Sequence, residues 1–210
     1  MTLPRLYPIV DRDTLIRVQC SVQTAFEVLL DSGSRLVQFR VKGHIGRTEF
    51  AEFECAAELC ARAEAALIVN DRADLAMLLR AGVHVGQDDL PPKDVRRLVG
   101  EKRLLGLSTH NEEQFRAGIA EPVDYLAFGP IFATTTKENP DPVVGLGMLR
   151  MLRGLTTRPL VAIGGITRAN AASVLEAGAD SVAVIGDLYP AVFTLGEFRK
   201  RVNEWQQLVR

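Results

Sequence analysis

The sequence predicts a single-domain (β/α)8 TIM barrel spanning residues 1–210, and three observations predict it. Short apolar runs alternate with helical-period segments eight times along the chain. The apolar runs are hydrophobic throughout, not at every second position, as expected when both faces of a parallel sheet are covered. Polar and glycine residues collect where each run ends, and that is the end at which such barrels build their sites. A doubly wound open sheet is the rival architecture, but it wants a Gly-rich turn after the first strand, where "VDRDTL" stands instead.

The elements follow in order. "LYPIV" (6–10) reads as the first strand. "SVQTAFEVLLDSG" (21–33) places Val22, Phe26, Leu29 and Leu30 at helical spacing, with Gly33 as its stop. "RLVQFR" (35–40) is a strand, and "TEFAEFECAAELCARAEA" (48–65) a helix opening on Thr48. "ALIVND" (66–71) is a strand; "ADLAMLLRAG" (73–82) reads as a helix closed by Gly82. "VHVG" (83–86) is a short strand, and "KDVRRLVG" (93–100) a short helix behind two prolines, which start helices readily. "RLLGLS" (103–108) precedes "NEEQFRAGIA" (111–120), a helix that Asn111 can cap. "DYLAFG" (124–129) is a strand, and "LGMLRMLRG" (146–154) a helix after a long loop. "PLVAIGG" (159–165), "RANAASVLEAG" (168–178), "DSVAVIG" (180–186) and "LGEFRKRVNEWQQLVR" (195–210) complete the alternation as strand, helix, strand, helix.

Bulk properties narrow the function classes. With 25 basic against 26 acidic residues, the net charge of −1 offers nothing to nucleic acid or an acidic membrane surface. No apolar run approaches the length that spans a bilayer, and the first residues turn charged before a signal region could form. Cys20, Cys55 and Cys60 form an odd set without CxxC spacing, so they read as reduced thiols of a cytoplasmic protein.

The strand ends carry the chemistry. They are Gln38, Arg40 and Lys42; Asn70 and Asp71; Asp88 and Asp89; Ser108, Thr109 and His110; a threonine–lysine loop; Gly164 and Gly165; Gly186 and Asp187. Each has a plainer reading taken singly. Asn70-Asp71 and Asp88-Asp89 could be turns, Ser108 and Asn111 caps, His84 a satisfied core histidine, His44 a loop residue. The conjunction at successive strand ends argues for a site. Glycines after strands seven and eight let backbone N–H groups approach a monophosphate, where barrels frequently bind one. Asp71 and Asp89 offer oxygen ligands for Mg2+, and Arg40 and Lys42 would balance a diphosphate beside it. The stretch "FGPIFATTTKENPDPVVGLG" (128–147) far exceeds the usual two to six residues of such a connection, which suggests a functional lid reaching both anions.

In this order "QFRVK", "IVNDRADLA", "GVHVGQDDL", "GLSTH", "DYLAFGPIFATTTK", "VAIGGI" and "GADSVAVI" resemble the thiamin phosphate synthase family over essentially the whole chain. The resemblance implies a Mg2+-dependent transferase that joins an aminopyrimidine methyl diphosphate to a thiazole phosphate, two phosphorylated small molecules. It implies Gln38 against the aminopyrimidine; Arg40, Lys42, Asn70, Ser108 and Lys137 at the diphosphate; and Asp71 and Asp89 on the metal. Thr134, Thr135 and Thr136 would reach the thiazole phosphate together with Gly164, Gly165 and the Ile185-Gly186 amides. Arg40, Ser108 and Lys137 are expected to act on the leaving group. Family members are often small homo-oligomers, although no interface signature stands out here.

Two departures accompany the resemblance. Val41 stands where many relatives carry glutamate; and Gly186 stands where they commonly carry serine, with Asp187 beside it expected to bring negative charge to the phosphate rim. The related thiazole tautomerase, and a silent barrel that only binds intermediates, are the competing readings. Pro130 in place of the tautomerase histidine and the retained Asp71, Asp89 and Lys137 favour the synthase.

Overall fold

The chain folds as a closed barrel of eight parallel strands in sequence order, in a computed structural model that describes residues 2–134 and 141–209. The strands are β1 (Leu6–Asp11), β2 (Leu36–Arg40), β3 (Ala66–Asn70), β4 (Gly82–Val85), β5 (Leu105–Thr109), β6 (Tyr125–Phe128), β7 (Leu160–Ile163) and β8 (Ser181–Val184). The helices are α1 (Arg12–Val18), α2 (Val22–Asp31), α3 (Arg47–Arg62), α4 (Ala73–Leu78), α5 (Pro92–Val99), α6 (Glu112–Ala120), α7 (Gly145–Arg153), α8 (Ala171–Glu176) and α9 (Leu195–Leu208). Closure is made by β1, which pairs β2 through Ile9–Asp11 and β8 through Leu6–Pro8.

Two apolar layers result, because successive residues of a strand point to opposite faces. The barrel interior holds Tyr7, Ile9, Leu36, Ile68, Tyr125, Ala127, Val161 and Ala183. The larger layer between barrel and helices includes Val10, Phe39, Phe53, Phe115, Phe198 and Trp205, all fully buried. That double burial is why the strands read as continuous apolar runs.

Small residues decide where the interior can be filled. A Cβ on Gly106 would lie 2.1 Å from Tyr125 Cζ, so the glycine in β5 admits the tyrosine ring from β6. A Cβ on Gly82 would lie 2.5 Å from Ile68 Cδ1. Gly82 therefore opens β4 and does not close the preceding helix. That helix stops at Leu78, and the turn is made by Arg80 in the left-handed region at φ 54°.

At the ends where strands begin, polar residues act as staples. Asp124 accepts from Leu105 N at 2.7 Å and pairs with Arg96 at 2.7 Å. Asp180 repeats the arrangement with Leu160 N at 2.8 Å and Arg153 at 2.7 Å. Each ties the start of one strand to the loop before the next.

Local chemistry accounts for the helix starts. Ser21 caps α2 through Thr24 N, Asn111 caps α6 through Gln114 N, and Thr194 caps α9 through Glu197 N. α3 begins at Arg47, one residue before the expected Thr48, because the Glu49 carboxylate reaches back to Gly46 N at 3.0 Å. α1 has no counterpart in the sequence expectation. Its seven residues are too few and too charged to show a period, and it is started by Asp11, whose carboxylate accepts from Thr14 N at 3.1 Å. α8 opens at Ala171, not Arg168, since Asn170 Oδ1 takes up Thr167 N in a turn. Cys55 and Cys60 lie on α3, and burial pushes the Cys60 thiol up to about 12; all three cysteines are free. Among the described residues no helix is long and apolar enough to cross a membrane.

Candidate active site

A cavity of about 660 Å³ opens at the ends where the strands run out. That is a common size for a small-molecule site. Its lining includes Gln38, Arg40, Lys42, Asn70, Asp71, Asp89, Ser108, Thr134, Gly164, Gly165, Ile185 and Gly186. Thus one cavity gathers every expected site residue that is described. Thr135, Thr136 and Lys137 lie outside the described residues, so the placement of the threonine–lysine segment beyond Thr134 is not part of this geometry.

On one side stand the charged residues of β2 to β4. Arg40, at the end of β2, forms an ion pair with Asp11, at the end of β1; the side chains are 18% and 5% exposed. Asp11 is therefore shared between the guanidinium and the cap of α1, where it also accepts from Thr14 Oγ1 at 2.9 Å. Lys42 Nζ lies 2.6 Å from Asp71 Oδ2. Asp71 follows β3 with φ 64°, a left-handed conformation that carboxamide and carboxylate residues tolerate better than most. Its N–H bonds to His84 O at 2.8 Å, which hooks the end of β3 to β4.

Asp89 accepts from Gly86 N at 2.7 Å and adjoins Asp71. Burial holds the Asp89 carboxyl above the usual range, and the neighbouring Asp71 charge raises it further against the pull of Gly86 N–H and Lys42. Two carboxylates pressed together in this way form an all-oxygen donor pair whose mutual repulsion a hard divalent cation would relieve. The pair fits Mg2+. Next to Asp71 in the chain, Asn70 lines the same cavity; it is buried and its side-chain Nδ2 has no protein partner. A buried amide donor left in this state costs free energy unless a ligand acceptor meets it.

On the other side are the loops after β7 and β8. Gly164 and Gly165 have φ 97° and 63°, and added Cβ atoms would fall 2.4 Å from Pro130 Cβ and 2.4 Å from Ala133 O. Only glycine lets this turn press against the segment after β6. Gly186 opens a 3-10 turn, Gly186–Leu188, and a Cβ there would meet nothing within 4 Å. Asp187 does lie at this rim, but its negative charge is countered by its partners. Its carboxylate accepts from Arg168 N and Arg168 Nε, both at 3.1 Å, and lies 3.8 Å from Arg201. Arg168 is paired in turn with Glu204 of α9.

The floor of the cavity is polar but closed. Gln38 Nε2 donates to Tyr7 OH at 2.9 Å, and Tyr7 OH lies 2.8 Å from Tyr125 OH. His84 Nδ1 is 3.0 Å from Tyr125 OH, and His84 Nε2 is 2.8 Å from Ser108 Oγ. His84 is thus fully hydrogen-bonded, as a core histidine should be, while its ring also faces the cavity. Burial lowers its pKa to about 4, so the ring is neutral.

Sequence reasoning missed Asp11, Tyr7 and Tyr125, and gave no role to His110, Gln114, Gln87 or Asp141, which also line the cavity. His110 Nδ1 bonds Gly129 O at 2.8 Å and faces Asp141 at 3.5 Å. Gln87 Nε2 donates to Ser108 O at 2.6 Å and so steadies the end of β5. A signal for Asp11 existed in "DRDT", an aspartate three residues before a threonine at a strand end.

Comparison with known proteins gives consistent results. The family model described as thiamine monophosphate synthase matches residues 6–188. The chain is 48% identical to the thiamine-phosphate synthase of Koribacter versatilis (strain Ellin345), covering all of this chain and 97% of that protein. It is 45% identical to the thiamine-phosphate synthase of Chloroflexus aurantiacus over 81% of this chain and 79% of the other. Among solved structures, thiamine phosphate pyrophosphorylase from Pyrococcus furiosus superimposes with a TM-score of 0.82 at 30% identity, covering 98% of this chain and 95% of that one.

Proposed function

The chain belongs to the thiamine monophosphate synthase family, and from that membership we propose that it is a transferase of thiamine biosynthesis. It condenses 4-amino-2-methyl-5-(diphosphooxymethyl)pyrimidine with 4-methyl-5-(2-phosphoethyl)thiazole to thiamin monophosphate and diphosphate. The observation that carries the reading is the division of one cavity into two anion-directed ends. Arg40, Lys42, Asp71 and Asp89 lie on one side, and the glycine turns after β7 and β8 on the other. Two phosphorylated substrates can bind with their phosphates apart and their rings together between those ends.

Asp71 and Asp89 would hold Mg2+, which when bound supplies positive charge to the diphosphate. Arg40, Lys42 and Ser108 bind the same diphosphate oxygens as charge builds on them, and Asn70 Nδ2 supplies a further donor. Gln38 orients the aminopyrimidine from the cavity floor. The step is dissociative. The methylene C–O bond breaks, and diphosphate leaves with the electron pair. The pyrimidine methyl cation left behind is stabilised by the ring's amino group. The thiazole nitrogen then donates its lone pair to form the C–N bond, and no proton has to move. The protein needs no general base. It supplies alignment of the rings, stabilisation of the leaving group and exclusion of water from the cation. The amides of Gly165, Ile185 and Gly186 hold the thiazole phosphate.

The test is turnover by the purified chain with both substrates and Mg2+, followed by separation of thiamin monophosphate from substrates. Product formation at a rate linear in enzyme is expected. Absence of product with a folded protein would overturn the reading. Conversion of a thiazole tautomer alone would support the isomerase.

A further inference from the structure

We propose that the hydrogen-bonded chain Gln38–Tyr7–Tyr125–His84–Ser108 through the barrel interior has a single polarity, which makes the Ser108 hydroxyl a donor toward the cavity. Tyr7, Tyr125 and His84 are then positioning residues for the transfer. The inference rests on the function proposed above, and deepens it by naming residues that act on the leaving group from beneath the site.

The polarity follows from counting protons. Gln38 presents its amide nitrogen to Tyr7 OH, at 2.9 Å. Tyr7 OH accepts there and has one proton to give, which goes to Tyr125 OH at 2.8 Å. Tyr125 OH gives its own proton to His84 Nδ1 at 3.0 Å. With Nδ1 accepting, the neutral ring carries its proton on Nε2 and donates to Ser108 Oγ at 2.8 Å. The Ser108 proton is then left for an acceptor in the cavity. An imidazolium is excluded by the same count, since the Tyr125 proton would have to return toward Tyr7, and the Tyr7 proton toward an amide N–H. The opposite polarity would aim Ser108 lone pairs at an anion.

The chain is built into the fold. Tyr7, Tyr125, Gln38 and His84 are all buried, which holds each link in place. Gly106 is what admits the Tyr125 ring. The imidazole stacks on that ring at 5.5 Å, and the two tyrosines meet edge-on at 5.9 Å. Tyr125 is fully buried, so its hydroxyl acts on the site through its neighbours: on the leaving-group side through His84 and Ser108, and on the other side through Tyr7 and Gln38. A donor fixed before the substrate arrives needs no reorientation as charge develops on the departing oxygen.

Two measurements test this. In protein labelled with 15N-histidine, His84 should show a protonated Nε2 and an unprotonated Nδ1 at neutral pH; a protonated Nδ1 would overturn the polarity. Tyr125→Phe should lower kcat about tenfold, the equivalent of one hydrogen bond, with KM for the pyrimidine diphosphate changed less than about twofold. In a Ser108→Ala background the same substitution should have no further effect on kcat. Multiplying effects in the double variant would assign Tyr125 a purely structural role and refute the proposal. If Tyr125→Phe does not fold, Tyr7→Phe is measured in the same cycle. The tautomer is read without turnover, so it decides the polarity even if synthase activity itself were absent.

Discussion

Replacing Asp11 should damage both stability and the site, because one carboxylate serves two partners. Asp11→Ala removes the acceptor for Thr14 N and Thr14 Oγ1 at the start of α1, a loss worth about 1 kcal/mol for a helix cap. It also strands the Arg40 guanidinium. Breaking a buried pair costs about 3–5 kcal/mol, and because Arg40 is 18% exposed solvent screening reduces this to about 2–3 kcal/mol. The sum is about 3–4 kcal/mol, which for a chain of this size lowers Tm by roughly 6–16 °C. Asp11→Asn separates the parts. Its side-chain oxygen caps as well as aspartate does, so it should lose only the charge pairing, about 2–3 kcal/mol. Urea unfolding followed by the fluorescence of Trp205, the single tryptophan and a fully buried one, measures both variants. KM for the pyrimidine diphosphate should rise in both as Arg40 loses its orientation. If Asp11→Asn unfolds within about 0.5 kcal/mol of the parent, below the ordinary worth of a charged hydrogen bond, Asp11 does not hold Arg40 and the reasoning fails.

Other expectations are as direct. Asp71→Ala should lower the Mg2+-dependent rate at least about 100-fold, as loss of a transition-state electrostatic contact does, while the thermal melt stays cooperative; unchanged activity would refute the metal assignment. Gly165→Ala forces an L-residue to φ 63° and a Cβ to 2.4 Å from Ala133 O, so stability should fall by at least about 1–2 kcal/mol in a denaturant titration. Gly186→Ser meets nothing within 4 Å and should fold normally; a lower KM for the thiazole phosphate would show the added hydroxyl reaching the anion, and a raised KM would refute that. His84 is neutral in the native state down to about pH 4 but titrates near 6.5 when unfolded. Between those values the unfolded chain binds the extra proton. Its contribution to stability is therefore fully present above pH 6.5 and is lost, by roughly 3 kcal/mol in all, as the pH falls to about 4. Unfolding midpoints at several pH values should show a shallower slope in His84→Gln; an equal slope would refute the linkage.

The sequence by itself determined the barrel and much of the candidate site. Eight apolar runs without alternation state that both strand faces are covered, and the period change between runs states where helices return. Since a (β/α)8 chain has one functional end, the polar residues after each run named Gln38, Arg40, Asn70, Asp71, Asp89 and Ser108 without coordinates. Local periodicity could not reveal α1, whose order comes from a cap and not from an apolar stripe. It also misplaced Gly82, whose reason for being glycine is the Ile68 side chain on the adjacent strand. Tertiary structure alone decided the pairings. Tyr7 and Tyr125 stand 118 residues apart, and only closure of the barrel brings their hydroxyls together. Asp11 meets Arg40 because β1 and β2 run side by side in register, and Asp187 is countered by Arg168, from the segment before α8, which pairs in turn with Glu204 of α9. The physical reason is common to all of these. Hydrophobic pattern is a property of near neighbours in the chain, whereas the direction of a charge or a hydrogen bond depends on which distant strand supplies its partner.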